Sequence, residues 1–450
     1  MTAPPPVRRP QLLAALALLL AACAHHPGTP RLERAGGPGY RMSEAHRPGQ
    51  SDDLLVILAI SGGGMRAASL GYGALEELRR TTIVADGQPR RLLDEVDVIT
   101  AISGGTLPAA YYGLRGEKTF EEFGPRVTSR NLERELVKRI LSPSSWFRLP
   151  SGTFNRSDLF AEIYDQTVFD GATFGDLQQA GGPFILIHGT DISTGARFSF
   201  TQDQFDALCG DVSGVTLGRA VATSTALPPL LSPITLQNRA GTCGWAGPPW
   251  LAQVEQAAEG SDTPGRSLLR ARGLLAYARP DRPYVHLFDG GLSENLGLSE
   301  VVGALDLLEV APDAPGLEAF RRARRVVVIS VNALRFPPND WDRSAEPPGT
   351  GDLEDQMWSI PVDRISLDTV EKVRDGLARW KAHAPGERET YLVNVTFDAL
   401  KDPAEREAFN QMPTSLALEQ DQVDRLRDVS ARLMRASPSF QRLLQDLGRR

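Results

Sequence analysis

The chain has 450 residues, enough for one large or two ordinary domains with a substantial core. With 41% hydrophobic and 23% charged residues and a mean hydropathy of −0.23, it is neither disordered nor a polytopic membrane protein. Its 49 basic and 56 acidic residues leave a net charge of −7, which argues against a general nucleic-acid binder, and three cysteines exclude a cysteine-rich zinc module.

The chain opens on an address. Arg8 and Arg9 precede an apolar run, Leu12 to Ala22, about half of the ~20 residues that span a bilayer, so it reads as a secretory h-region. Leu20-Ala21-Ala22-Cys23 resembles the lipobox of bacterial lipoproteins, which implies a signal peptide at 1–22 and lipidation of Cys23. An ordinary signal peptide with an incidental cysteine is the plainer reading. By the same resemblance, Ala24 stands where an aspartate would retain the protein at the inner membrane, which implies an outer-membrane destination. Residues 23–50 are rich in Gly and Pro and are expected to form a flexible tether. With Cys23 lipidated, Cys209 and Cys243 remain in an oxidising compartment, either bridged or as two buried thiols.

Leu54 to Ile60 is a continuous apolar run, as expected for a parallel strand buried on both faces. It runs into Ser61-Gly62-Gly63-Gly64-Met65-Arg66 and then a helical stretch with Leu70, Ala74, Leu75 and Leu78 on one side. Glycines between a strand and a helix start expose backbone N–H groups at the positive end of the helix dipole, where negative charge is stabilised. A second unit, Val96 to Ala101, turns at Ile102-Ser103-Gly104-Gly105, with Thr106 as the expected helix cap and Pro108 in the first turn. Small residues around Ser103 permit the sharp turn that lifts a serine hydroxyl above a sheet, the logic of G-x-S-x-G, with Ala101 at the first position here.

Farther along, Arg130, Arg134, Lys138, Arg139 and Arg148 lie near Trp146-Phe147. They read either as a surface that docks on anionic lipid or as a solvated helix with its aromatics tucked into the core. Stretches near Ala240–Thr263 and Phe336–Gly351 read as loops or lids. Tyr284 to Phe288 forms an apolar strand that ends at Asp289, followed by Gly290-Gly291. Arg325 to Val331 is another buried strand, Tyr391 to Val395 an edge or late one, and Leu418, Val423, Leu426 and Leu433 mark a C-terminal amphipathic helix. Ligands of parallel α/β sheets bind outside the carboxyl ends of the strands, and the glycine run, Ser103 and Asp289 each fall at such an end.

Gly62-Gly63-Gly64-Met65-Arg66, Ala101-Ile102-Ser103-Gly104-Gly105 and Asp289-Gly290-Gly291 stand in the order and spacing of patatin-like phospholipases, which the chain resembles from about Leu54 to Asn332. Asn155 to Leu159, Thr190 to Gly195 and Ala222 to Pro229 are similar to the bacterial lipoprotein branch of that family. Ala101 for glycine, and Ala67 where the first motif often ends in glycine, are the departures. The resemblance implies a three-layer α/β/α fold with a mainly parallel central sheet. It places a catalytic domain at 51–335 and a C-terminal extension at 336–450 that packs on it. It also implies a serine–aspartate dyad without metal or cofactor: Ser103 attacks an ester carbonyl, Asp289 accepts its proton, and the N–H groups of Gly62, Gly63 and Gly64 hold the oxyanion. Arg66 either orients the loop or meets a lipid phosphate. The implied substrate is a phospholipid or another acyl-ester lipid.

Three other readings compete. Gly62-x-Gly64-x-x-Ala67 followed by Asp86 fits a dinucleotide fingerprint, but leaves Ser103 and Asp289 unexplained. A Ser-His-Asp carboxylesterase would draw on His188, His286 or His383, since His25, His26 and His46 lie in the leader or tether. His286 is three residues from Asp289, so a strand points it to the opposite face. A non-catalytic lipid-binding lipoprotein would use the same cleft without turnover.

Overall fold

The computed structural model describes residues 28–149, 153–228, 230–259, 265–336, 341–343, 345–384 and 386–448; the leader and Cys23 lie outside the described residues. Its strands are β1 (Leu54–Ile60), β2 (Thr82–Ala85), β3 (Gln88–Arg91), β4 (Val96–Ala101), β5 (Phe184–Asp191), β6 (Arg197–Ser199), β7 (Ile234–Gln237), β8 (Tyr284–Asp289), β9 (Arg325–Asn332) and β10 (Glu389–Thr396). The helices that bear on the site are α1 (Gly64–Arg80), α2 (Thr106–Arg115), α3 (Leu132–Ile140), α4 (Leu217–Ser224), α5 (Arg266–Tyr277), α6 (Ser299–Val310), α7 (Thr350–Ala382) and α8 (Gln420–Ala436).

One sheet runs in the order β10-β9-β1-β4-β5-β8-β7, with β6 paired to β5. Strands β10, β9, β1, β4 and β5 are mutually parallel, and every residue of β1, β4 and β5 is buried, as expected of parallel strands covered on both faces. Helices α1 and α2 cover one face, where Gly71 and Gly113 let the helix backbones close on Ile60 and Ile185. Leu55, Ile57, Val98 and Leu186 alternate to the other face, toward α5 and α6. The result is the α/β/α layering with a mainly parallel sheet.

The direction of β8 departs from expectation. It runs antiparallel to β5, with Gly189 opposite Asp289, while β4 already ends at Ala101 opposite Ile187. The carboxyl half of β5 therefore overhangs β4, and β8 returns along the overhang to deliver Asp289 beside the turn after β4.

Residues 28–50 are not a tether. Leu32 N–H donates to Cys209 O and Ala35 N–H to Cys243 O, both at 3.0 Å. Tyr40 is buried, stacked 4.3 Å from Phe184, and Arg41 binds Asp203 and Asp206 at 2.6 and 2.8 Å. A glycine- and proline-rich composition suggested mobility, and one aromatic anchor with an ion pair overrides it. Cys209 and Cys243 form a disulfide with Cα atoms 5.4 Å apart beneath this segment. Replacing both by serine is expected to lower unfolding stability by about 2–5 kcal/mol, as native bridges commonly contribute. Denaturant titrations of wild type and double variant would check it, and matching midpoints would refute it.

A domain boundary at 335 does not hold as a physical division. β10 pairs with β9 along eight residues from Glu389 to Thr396, and α8 packs on α1 so closely that a Cβ on Gly73 would lie 2.5 Å from Arg427 O. The stretch near 240–263 contains a helix, Trp250–Ala257. In α3 the buried residues are Leu132 and Leu136, in keeping with a solvated helix, but Trp146 is 62% exposed rather than tucked into the core.

Candidate active site

The turn after β4 is strained at one residue. Ser103 has φ +48°, a left-handed conformation that a side chain adopts at a cost, and it projects from the end of the sheet. The glycines after it are required by contact: a Cβ on Gly104 would lie 2.0 Å from Gly64 O, and one on Gly105 2.5 Å from Ser61 O. Thr106 does not cap the helix from outside. It is the first residue of α2, and its hydroxyl donates back to Ser103 O at 2.5 Å, bracing the turn. Ala101, in place of a glycine, is fully buried within β4.

Ser103 Oγ donates to Asp289 Oδ2 at 2.9 Å. The other oxygen, Oδ1, accepts from Gly291 N–H at 2.8 Å, so the first turn after β8 fixes the carboxylate. Asp289 is buried, and burial pushes its carboxyl up to about 7, while the Gly291 amide and the Ser103 hydroxyl hold it back. Two residues that the sequence did not single out for roles complete the frame. Ser224, the last residue of α4, accepts from Ser103 N–H at 2.9 Å. Asn295 accepts from Gly62 N–H through its carbonyl at 2.9 Å, and its side chain stands where a Cβ on Gly62 would fall, 2.1 Å from Oδ1.

That contact corrects the expected cradle. Gly62 N–H is committed to Asn295 and is not free for an anion. Of the glycine run and the Ser103 turn, Gly62 to Gly64 and Ser103 to Gly105, the N–H groups without a hydrogen-bond acceptor among the described residues are those of Gly63 and Gly64, at the start of α1, and of Gly104, against Gly64. Gly63 and Gly64 have φ of +136° and +61°, which turn the chain so that these amides stay off the sheet ladder.

Arg66 does not face the site. It is buried, with Nε donating to Ala333 O at 2.9 Å, Nη1 to Met412 O at 2.8 Å and Nη2 to Thr414 Oγ1 at 3.1 Å. Burial, with Arg335 nearby, brings its pKa down to about 9. Of the two readings of Arg66, the loop-orienting one matches these contacts.

The histidines stand elsewhere. His188 is buried between Thr100 and Ser199, His286 is exposed on β8 against Thr235, and His383 caps α7 by a contact to Arg379 O. None has a hydrogen bond to Ser103 or Asp289. The dinucleotide reading also fails, since Asp86 lies in the β2–β3 hairpin, outside the central sheet. Among the described residues no group of His, Cys, Asp or Glu has the arrangement of a metal site.

The patatin-like phospholipase family model matches residues 58–302, more than half of the chain. The chain belongs to the patatin-like phospholipase family. Among solved structures, human GIVD cytosolic phospholipase A2 is similar at 14% identity over 88% of this chain and 62% of that one, with a TM-score of 0.39. The same human enzyme in complex with methyl gamma-linolenyl fluorophosphonate gives 15% identity, 88% and 59% coverage, and a TM-score of 0.35. VipD from Legionella pneumophila gives 12% identity, 89% and 70% coverage, and a TM-score of 0.24. The chain thus spans about three-fifths of the human enzyme's length. No curated protein sequence matches it.

Proposed function

We propose that this patatin-like protein is a lipid acyl hydrolase of the phospholipase A or lysophospholipase type, working through Ser103 and Asp289. The hydrogen bond of 2.9 Å between Ser103 Oγ and the buried Asp289 carboxylate carries the reading. As Ser103 Oγ bonds to the ester carbonyl carbon, its proton passes to Asp289 Oδ2. The amides of Gly63, Gly64 and Gly104 face the developing oxyanion, where losing one such donor typically costs ~10²–10³ in rate. Asp289 then returns the proton to the departing alkoxide, leaving an acyl ester on Ser103. In the second half Asp289 takes a proton from water as the water oxygen bonds to the acyl carbon, then passes that proton to Ser103 Oγ as the Oγ–C bond breaks and the fatty acid leaves.

In this mechanism the lipobox at Leu20–Cys23 anchors the enzyme to a bacterial membrane, with the outer membrane as its destination and the lipid leaflet as its substrate. The test is fatty-acid release from phospholipid and lysophospholipid vesicles by the full chain. Release that Ser103→Ala does not diminish would overturn the proposal.

The raised Asp289 carboxyl gives a signed pH dependence. The base is competent only when ionised, so kcat/KM should climb with pH, reach half its plateau near pH 7, where burial has pushed the Asp289 carboxyl up to about 7, and stay flat above it. A profile already flat from pH ~5 would mean that the ordinary carboxylate range applies and burial does not act on this group.

A further inference from the structure

On the face of the sheet away from α1 and α2 lies a cavity of about 830 Å³. It reaches Ser293 and Glu294, just behind the Asp289 turn, yet neither Ser103, Asp289 nor the Gly62–Gly64 run lines it. Its volume falls in the ~300–1,000 Å³ range of small-molecule sites. The floor is the apolar sheet surface of Leu55, Ile57, Val98 and Leu186, and Val301 of α6 faces it. Leu269 and Arg270 line its rim and are themselves exposed, which opens it to solvent.

The charges on the wall are nearly all spoken for: Glu294 accepts from the N–H groups of Leu296 and Ser299, Asp97 accepts from that of Val56, and Glu318 pairs with Arg321. Arg41 pairs with Asp203 and Asp206, Arg197 and Arg270 with Glu300, Arg266 with Asp306, and Arg322 with Asp52. Lys372 differs. Among the described residues no carboxylate lies within ion-pair distance of its ammonium, although the residue is half-buried and lines the cavity. It shares one stripe of α7 with Ile365 and Thr369, spaced i, i+4 and i+7, and all three are on the wall. An ammonium on a cavity wall without a counter-charge attracts an anion brought to it, and the charge-assisted hydrogen bond adds to the contact.

We infer that this cavity binds a long-chain fatty acid, with its carboxylate on Lys372 and its chain along the apolar sheet face. One unpaired cation beside an extended apolar floor fits an amphiphile with a single negative end. The inference rests on the proposed hydrolase reading for its source of ligand, because that reaction releases such an acid on the other side of the Asp289 turn.

The test uses the full chain carrying Ser103→Ala in phosphatidylcholine nanodiscs, with a diazirine analogue of palmitic acid as photoprobe and mass-spectrometric mapping of labelled peptides. Label is expected in α6 and in the α7 segment around Ile365–Lys372, displaced by unlabelled palmitate. In Lys372→Met the half-saturating probe concentration should rise about tenfold, the equivalent of ~1.4 kcal/mol, and Lys372→Arg should restore it. Label absent from both helices, or binding unchanged in Lys372→Met, overturns the inference. If the wild-type chain releases no fatty acid from any lipid while the two helices still take label, the hydrolase reading fails and the site stands. If hydrolysis occurs and the helices stay unlabelled, the site alone fails.

Discussion

Ser103→Ala is expected to lower kcat/KM on phospholipid vesicles by at least ~10⁴-fold, and Asp289→Asn by a comparable factor. The two act as one unit. Removing the hydroxyl leaves Asp289 with nothing to activate, and removing the charge leaves Ser103 with no proton acceptor, since its hydroxyl donates to Asp289 Oδ2. The double variant should therefore be no slower than the slower single one, as strongly coupled catalytic groups are non-additive. Asp289→Asn preserves the size of the buried group and an oxygen for the Gly291 amide, so its thermal unfolding should remain close to wild type. His188, His286 and His383 each bond to other partners, and His286→Ala and His383→Ala, both at exposed positions, should keep activity within a few-fold. Loss of turnover in either histidine variant with the fold intact would defeat the dyad and restore a triad.

Much of this frame was legible because local pattern and tertiary role coincide. The run Leu54–Ile60 is apolar throughout and is a strand buried on both faces, and the small residues around Ser103 match a turn that sits at φ +48°. The interval from Val423 to Leu433 reads as a helix and buries those same residues against the domain. β5 carries a comparable signal, an apolar Phe184-Ile185-Leu186-Ile187 after Gly181-Gly182-Pro183, but its second half, His188 to Asp191, is polar and blurs the pattern. Other features have no local signal. The antiparallel sense of β8 is set by the overhang of β5, not by the residues of β8. The interior Pro361 and the absence of a capping side chain at Gly349 obscure α7 in a sequence of mixed polarity. Ser224 reaches the site from 121 residues away along the chain, and Gly62 looks like its neighbours until Asn295 claims its amide.

Arg66 ties the last part of the chain to the site, and its replacement should show this in stability before activity. The guanidinium crosses from the start of α1 to Ala333 after β9 and to Met412 and Thr414 before α8, while Met65 N–H donates to Ser415 O at 2.8 Å. Segment 412–415 is thereby pressed on the glycine run, where a Cβ on Gly64 would lie 2.3 Å from Ser415 O. In Arg66→Met two buried carbonyls and a hydroxyl lose their donor, and each such loss costs about 1–3 kcal/mol. A total of about 3–5 kcal/mol is expected, allowing for partial relaxation and non-additivity. Arg66→Lys should recover little of it, because one ammonium cannot span three acceptors set in a fork. Urea midpoints should fall in both variants, and kcat should drop on neutral esters as well as phospholipids, since the amides of Gly63 and Gly64 lose their backing. A contact with lipid phosphate would instead raise KM for phospholipids alone and leave the midpoint where it was. That second pattern would refute the latch and return Arg66 to the substrate.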